Sequence, residues 1–233
     1  MLVRNAAVRR INGEPLQYII GNVDFMGLSI SVGSGVLIPR PETELLVEEA
    51  VKRIQDKWIG ERGKTALSLL DLCTGSGCIA ISLAKRFPEA VVVGADLSLA
   101  ALIYAQRNAT ENSIGNIRFL EGDLFDPVAG RLFHCITANP PYVRTEEIQE
   151  LQREVREHEP LNALDGGIDG LDYYRHILSE SPKYLERDGL LIMELGYDQA
   201  DAVSGLAHDS GFRNIECIPD YAGIRRIFFA IRT

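Results

Sequence analysis

From residue 65 to the end of the chain, short apolar runs alternate with stretches that have helical periodicity. Runs of Val, Ile and Leu bounded by turn residues are typical of strands that are buried on both faces. Regular alternation of such strands with helices requires a parallel sheet covered by helices on both sides, so we predict an α/β fold. The predicted strands are 67–72, 91–95, 117–121, 133–138 and 190–195, and the predicted helices are 77–86, 98–111, 171–185 and 199–209.

Two further predicted strands, 213–218 and 226–231, lie at the carboxyl end of the chain and have seven residues between them. A crossover between parallel strands needs about a dozen residues or more, so these two strands should form an antiparallel hairpin at one edge. The chain therefore predicts a seven-stranded mixed sheet with a C-terminal antiparallel hairpin.

The first 62 residues follow a different pattern and predict an N-terminal extension. Residues 22–32 alternate loosely around Gly27, which indicates a small β-hairpin. Pro41 suits the first turn of a helix, and residues 42–57 carry apolar side chains on one face. The predicted boundaries are a helix end at 1–11, a polar linker at 60–64, the extension at 1–62 and the larger domain at 63–233.

Composition and charge weigh against several classes of protein. The chain has 24 Lys and Arg against 33 Asp and Glu, a net charge of -9, which disfavours direct binding of nucleic acid phosphates. No apolar run approaches the ~20 residues of a membrane span. The charged N-terminus lacks the apolar centre of a signal peptide. The four cysteines form no C-x-x-C pair, so we expect reduced thiols, no metal site and a cytoplasmic location.

A glycine-rich turn joins the first strand of the predicted sheet to the following helix. Glycines there let the backbone approach a ligand, and the helix N-terminus offers free N–H groups. The spacing does not match the G-x-G-x-x-G fingerprint of dinucleotide sites. It resembles the acidic-x-Gly-x-Gly-x-Gly turn of S-adenosylmethionine-dependent methyltransferases, with Cys73 at the first glycine position. The candidate cofactor contacts in this turn are Cys73, Thr74, Gly75, Ser76 and Gly77.

Acidic residues follow the next two predicted strands. Asp96 ends the second strand, where a carboxylate can accept hydrogen bonds from two ribose hydroxyls. Asp123 follows the third strand and could accept from an adenine amino group, while Leu124 could lie against the ring. We therefore add these three residues to the candidate cofactor site.

The fourth strand of the predicted sheet ends in Asn139-Pro140-Pro141-Tyr142. Two prolines in succession restrict the backbone and remove two N–H donors. The carbonyl of Pro140 and the side-chain oxygen of Asn139 could then accept both N–H groups of a planar NH₂ group, with Tyr142 as an aromatic wall. Holding the nitrogen in this way would direct it toward an electrophile. We predict catalytic roles for Asn139, Pro140 and Tyr142, substrate contacts from all four residues, and a cofactor contact from Asn139.

Two segments of the extension narrow the resemblance to one family. Residues 13–21 read GEPLQYIIG and residues 37–44 read LIPRPETE. Together with the motifs above, they resemble the HemK/PrmC family of protein-(glutamine-N5) methyltransferases. The family resemblance implies a Rossmann-like class I fold, S-adenosylmethionine as cofactor, and the glutamine of the Gly-Gly-Gln motif in peptide chain release factors as substrate. Arg40 and Glu42 would line or brace the pocket, and a purely structural salt bridge is an equal alternative.

The family usually has a larger N-terminal helical domain, associated with docking of the protein substrate, and we expect this chain to lack most of it. Three other functions remain open from the sequence. An adenine amino-group methyltransferase of DNA or RNA shares Asn-Pro-Pro-Tyr but would need a basic groove. A glutamine methyltransferase of a ribosomal protein is a close neighbour. A binding module without activity is the third.

Overall fold

The N-terminal extension packs two short helices, a hairpin and a longer helix against the rest of the chain. A computed structural model describes residues 2–60 and 66–233. The predicted linker at 60–64 and the predicted boundary at 62/63 fall largely or wholly outside the described residues. The elements of the extension are α1 (Leu2–Ile11), α2 (Leu16–Ile20), β1 (Asn22–Phe25), β2 (Leu28–Ser31) and α3 (Pro41–Ile54).

The extension contains a β-hairpin and a long helix, which differs from the expected one at its carboxyl end. β1 and β2 pair antiparallel, and Pro41 occupies the first turn of α3 as predicted. The sequence predicts a helix that runs to Lys57, but α-helical geometry ends at Ile54 and a wider π-helical segment continues over Gln55–Gly60. That segment carries Trp58 to an edge-on contact with the His134 ring, 5.5 Å between centroids.

The larger part of the chain forms the predicted seven-stranded mixed sheet, in the order β5-β4-β3-β6-β7-β9-β8. The first five of these strands in that order pair in parallel, and β9 runs antiparallel to both β7 and β8. The C-terminal hairpin at the edge is therefore confirmed. The elements are β3 (Ser68–Leu72), α4 (Cys78–Arg86), β4 (Val91–Asp96), α5 (Leu99–Glu111), β5 (Ile117–Glu121), β6 (Phe133–Ala138), α6 (Arg153–His158), α7 (Asp172–Glu180), β7 (Leu185–Glu194), α8 (Ala200–Asp209), β8 (Phe212–Pro219) and β9 (Arg225–Arg232).

The predicted helix over 171–185 is too long. α7 ends at Glu180, a short 3₁₀ turn covers Ser181–Lys183, and Leu185 already belongs to β7. Pro182 accounts for the break, because proline has no N–H to donate and its ring clashes with the preceding turn of a helix. Leu185 instead pairs with Phe133 of β6, so the strand is longer than the predicted 190–195.

Helices cover both faces of the sheet, as predicted. Apolar side chains of α3, α4 and α5 pack in one buried cluster with β3 and β4. Side chains of α7 and α8 pack in a second cluster with β6 and β7. Because α3 shares the first cluster, the extension is part of one hydrophobic core with the sheet. Within the described ranges, no helix combines the length and the apolar character needed to cross a membrane.

A buried amide in α5 links the hairpin of the extension to the turn after β3. Asn108 is fully buried, and its Oδ1 accepts from Ser31 N at 2.7 Å. Its Nδ2 donates to the carbonyl of Ser31 at 3.1 Å and to that of Ser76 at 2.9 Å. Buried backbone groups that lose such partners are costly, so Asn108 is a strong structural constraint on the position of β2.

We expect Asn108→Ala to lower the free energy of unfolding by about 2 kcal/mol, because three buried hydrogen bonds are lost and only a small gain in helix propensity offsets them. Urea unfolding followed by circular dichroism measures the change. Gln106→Ala is the matched control, since Gln106 lies exposed on the same helix. Equal stability of the two variants would contradict the structural role of Asn108.

Candidate active site

A cleft opens at the edge of the sheet where β3, β4 and β6 end. Its empty space, including open solvent at the mouth, is about 890 Å³. One of the predicted cofactor contacts, Gly77, does not line the cleft. Gly77 is the residue immediately before α4. The other predicted contacts all line it: Cys73, Thr74, Gly75, Ser76, Asp96, Asp123, Leu124 and Asn139.

The glycine-rich turn is held in an unusual backbone conformation. Cys73, Gly75 and Gly77 all have positive φ, at 53°, 54° and 80°. A side chain on Gly77 would place its Cβ 3.1 Å from the Ala105 Cβ in α5, so glycine permits this close packing of two helices. Cys73 adopts the left-handed region despite its side chain, which costs of order 1–2 kcal/mol. Burial raises the pKa of the Cys73 thiol well above its ordinary value, which leaves it a poor nucleophile.

A buried carboxyl at the end of β3 supports this turn from below. Asp71 is fully buried, and its two oxygens accept from the hydroxyls of Thr74 at 2.6 Å and Thr137 at 2.8 Å. Removal from water raises the pKa of Asp71 to about 7, although the hydroxyl donors oppose that change. Asp71 therefore connects β3, β6 and the turn through one side chain.

Asp96 adjoins the turn, and backbone N–H groups donate to both of its oxygens. Gly75 N donates to Oδ2 at 2.7 Å, and Ser98 N donates to Oδ1 at 2.8 Å. Ser98 Oγ in turn accepts from Ala101 N and caps α5 as predicted. A carboxylate has about four acceptor positions, so Asp96 can still accept from ligand hydroxyls. Burial raises the pKa of Asp96.

The other two predicted contacts lie at the rim of the cleft. Asp123 is exposed, whereas Leu124 is buried and has a φ of 44°. Tyr173 of α7 also lines this cleft and was not identified from the sequence. It belongs to a helical pattern that resembles core packing, so no local signal marks it as a site residue.

A second cleft adjoins the first and contains the rest of the proline motif. Pro140 and Tyr142 line the second cleft, whereas Pro141 lines the first. Asn139 lines both clefts, as do Arg40, Leu37 and Ala163. Asn139 thus stands where a ligand in one cleft would meet a ligand in the other.

A buried glutamine, Gln199, which no sequence motif marks, holds the proline motif in place. Gln199 Nε2 donates to the carbonyls of Tyr142 at 2.9 Å and Gly170 at 3.1 Å, and Oε1 accepts from Gly196 N. Gly166 lies so close that a Cβ there would be 2.7 Å from Tyr142 Cα. Gln199 was visible from the sequence only as the predicted start of a helix, since the contact crosses 57 residues of chain.

The two residues proposed from the extension have different positions. Arg40 Nη2 donates to Glu159 Oε1 at 2.6 Å, and Ile38 N donates to the other oxygen of the same carboxylate at 3.3 Å. Arg40 therefore both lines the clefts and forms a salt bridge with a buried partner. Glu42 is exposed in the first turn of α3 and lines neither cleft.

A chain of hydrogen bonds runs behind the proline motif. Asn139 Nδ2 donates to Thr43 Oγ1 at 3.3 Å, and Thr43 Oγ1 donates to Glu194 Oε2 at 2.6 Å. The Tyr142 hydroxyl donates to Glu194 Oε1 at 3.2 Å. Burial raises the pKa of Glu194, and its donors and the positive charge of Arg226 oppose that change. Thr43 and Glu194 come from distant parts of the chain, and no sequence motif marks either of them as a site residue.

Comparison with known proteins decides the family. The chain is 50% identical over 225 residues to a release factor glutamine methyltransferase of Thermodesulfovibrio yellowstonii, covering 97% of this chain and 79% of the relative.

The chain belongs to the release factor glutamine methyltransferase family. The resemblance predicted from the sequence is thereby confirmed. A protein-family model described as the methyltransferase small domain also matches residues 43–158, which include the glycine-rich turn and the proline motif.

Solved structures agree with the family and the fold. A protein-(glutamine-N5) methyltransferase, described as release factor-specific, from Alicyclobacillus acidocaldarius has 31% identity and a TM-score of 0.52, covering 87% of this chain and 98% of that one. A methyltransferase from Pyrococcus furiosus shares the fold at a TM-score of 0.65 and 16% identity, covering 98% of each chain. The class I methyltransferase fold is confirmed.

The raised pKa of Asp71 should make the stability of the protein decrease as pH rises. Its pKa is about 7 when folded and near its ordinary value of 3.8 when unfolded, so the folded state holds the proton more tightly. The stabilisation is present below the unfolded pKa and is lost as pH rises through the folded one. The Asp71 carboxyl should therefore make the free energy of unfolding fall between about pH 4 and 7, by up to about 1.4 kcal/mol per pH unit. We expect Asp71→Asn to remove this contribution to the slope.

Urea unfolding at a series of pH values measures this slope. Asp126→Asn, at an exposed position, serves as the control for loss of a carboxyl group. Asp96 and Glu194 also have raised pKa values and titrate in both proteins, so the difference in slope reports Asp71 together with its charge coupling to Asp96. Identical slopes for Asp71→Asn and the unchanged protein would rule out a buried, protonated Asp71.

Proposed function

We propose that this protein transfers a methyl group from S-adenosylmethionine to the side-chain amide nitrogen of the glutamine in the Gly-Gly-Gln motif of a peptide chain release factor. Family membership supports the reaction type and the substrate. The observation that carries the proposal within the molecule is the position of Asn139, which lines both clefts. We place this reaction in the cytoplasm, where release factors act.

The first cleft has the character that S-adenosylmethionine requires. Its turn brings backbone groups close to the cavity, its acidic residue Asp96 is held rigidly, and its mouth is bordered by Asp123. Asp96 would hold the ribose hydroxyls, Asp123 and Leu124 would contact the adenine, and the turn from Cys73 to Gly77 would approach the rest of the molecule. The cofactor supplies a methyl carbon bonded to a positively charged sulfur.

The second cleft would receive the glutamine. Its amide NH₂ group has two N–H donors. Asn139 Oδ1 and the carbonyl of Pro140 would accept one each, which holds the nitrogen toward the first cleft, and Tyr142 would pack beside it. The nitrogen electron pair would form the new bond to the methyl carbon that S-adenosylmethionine supplies, the carbon–sulfur bond would break toward sulfur, and the nitrogen would release one proton to solvent water. Positioning in a water-poor site, rather than strong base catalysis, would supply most of the rate.

The reaction itself is tested by incubating the purified protein with methyl-labelled S-adenosylmethionine and a release factor, then mapping the label by mass spectrometry of peptides. We expect the label on the glutamine of Gly-Gly-Gln and none on a release factor with Ala at that position. Parallel incubations contain DNA, ribosomal RNA and ribosomal proteins. Label confined to one of those substrates, or absent from all of them, would overturn the proposal.

The role of Asn139 is tested by Asn139→Ala. Because the lost acceptor is needed by the substrate amide, we expect methyl transfer to fall by about 100-fold or more, while the cofactor Kd stays within about tenfold. Single-turnover kinetics measure transfer, and calorimetry measures cofactor binding. Asp96→Ala is the complementary variant and should weaken cofactor binding first. Transfer by Asn139→Ala at a rate near that of the unchanged protein would contradict the assigned role.

A further inference from the structure

The side-chain amide of Asn139 can present either of two faces to the substrate cleft. Rotation by half a turn about its terminal bond exchanges Oδ1 and Nδ2, and both orientations fill nearly the same space. The proposed function requires an acceptor, Oδ1, toward the substrate. Some other part of the molecule must therefore select that orientation.

The geometry points to Thr43 as the residue that selects it. We infer that the Thr43 hydroxyl, held by Glu194, locks the Asn139 amide with Nδ2 turned inward and Oδ1 presented to the substrate nitrogen. This inference rests on the proposed function and adds a positioning residue from the N-terminal extension. Thr43 touches Asn139 and acts through it.

The selection follows from the direction of the hydrogen bonds. A hydroxyl has one proton, and Thr43 gives that proton to Glu194 Oε2 at 2.6 Å. Toward Asn139 the hydroxyl can then offer only lone pairs, and it accepts from Nδ2 at 3.3 Å. An amide turned the other way would set Oδ1 against those lone pairs, with no proton between them. The Glu194 carboxylate thus determines the orientation of the Asn139 amide through the Thr43 hydroxyl.

Burial makes this selection effective. Thr43 is 2% exposed and Glu194 is 1% exposed, so water has little access to replace either partner. The second oxygen of Glu194 is occupied by the Tyr142 hydroxyl, and its backbone carbonyl accepts from the Tyr174 hydroxyl at 2.9 Å. One carboxylate therefore holds two residues of the proline motif, Asn139 through Thr43 and Tyr142 directly.

The location of Thr43 also explains why the extension is joined to the sheet at this point. Pro41 begins α3. Thr43 lies in the first turn of this helix and faces the carboxyl ends of β6 and β7. Arg40 immediately before the helix is tied to Glu159. The chain is thus anchored three residues before Thr43.

Thr43→Val and Thr43→Ser separate the hydroxyl from the volume of the side chain. Val has nearly the size of Thr without the hydroxyl, and Ser retains the hydroxyl. We expect Thr43→Val to lower kcat for the release factor by about 10- to 100-fold, with the cofactor Kd unchanged within about twofold. Thr43→Ser should restore kcat to within about fivefold of the unchanged protein. Glu48→Gln, at an exposed position of the same helix, is the control.

A second readout does not depend on the substrate. Hydrogen exchange of the Asn139 side-chain amide, followed by NMR of isotope-labelled protein, should be slow in the unchanged protein and in Thr43→Ser and faster by about tenfold or more in Thr43→Val. Thr43→Val with kcat within about twofold and unchanged exchange would overturn the inference, and so would a Thr43→Ser variant as impaired as Thr43→Val. If the unchanged protein methylates no release factor, the proposed function fails while the exchange measurement still decides the amide orientation.

Discussion

Parallel pairing of β3 with a strand on each side is the constraint on which the site depends. Leu72 at the end of β3 is in register with Ala95 of β4 and with Ala138 of β6. The residues that follow these three positions, Cys73, Asp96 and Asn139, must therefore emerge at one edge of the sheet. This register brings together a glycine-rich turn, a carboxylate and an amide that are far apart in the chain, as expected of open parallel sheets.

Buried polar side chains then hold the loops at that edge in place. Asp71 bonds to two hydroxyls beneath the glycine-rich turn, Asn108 joins the turn to the hairpin, and Glu194 holds Thr43 and Tyr142. Burying such groups is costly unless their hydrogen bonds are made, so each of them strongly favours one arrangement of its neighbours. The candidate active site is consequently built on the sheet and supported by side chains from both the extension and the C-terminal half.

Local sequence patterns predicted most of the fold because the central strands β3, β4, β6 and β7 are largely buried on both faces. Continuous runs of Val, Ile and Leu marked β4 and the second half of β7, and the short connection between β8 and β9 excluded a crossover. The hydrophobic pattern gave a wrong boundary between α7 and β7, where an apolar residue could belong to the helix or to the strand. Leu185 continued the helical periodicity of α7 but pairs with Phe133, and only the contact with β6 decides between the two.

The sequence by itself determined the order of the strands and helices, the glycine-rich turn, Asp96 and the proline motif. These depend on local backbone chemistry: buried runs, positive φ, helix N-termini and proline geometry. Only the tertiary structure decided that Asn139 lies between two clefts and that Thr43, Glu194 and Gln199 hold the motif around it. Their partners are 52 to 151 residues away in the chain, and a contact at that separation leaves no periodic signal in the sequence.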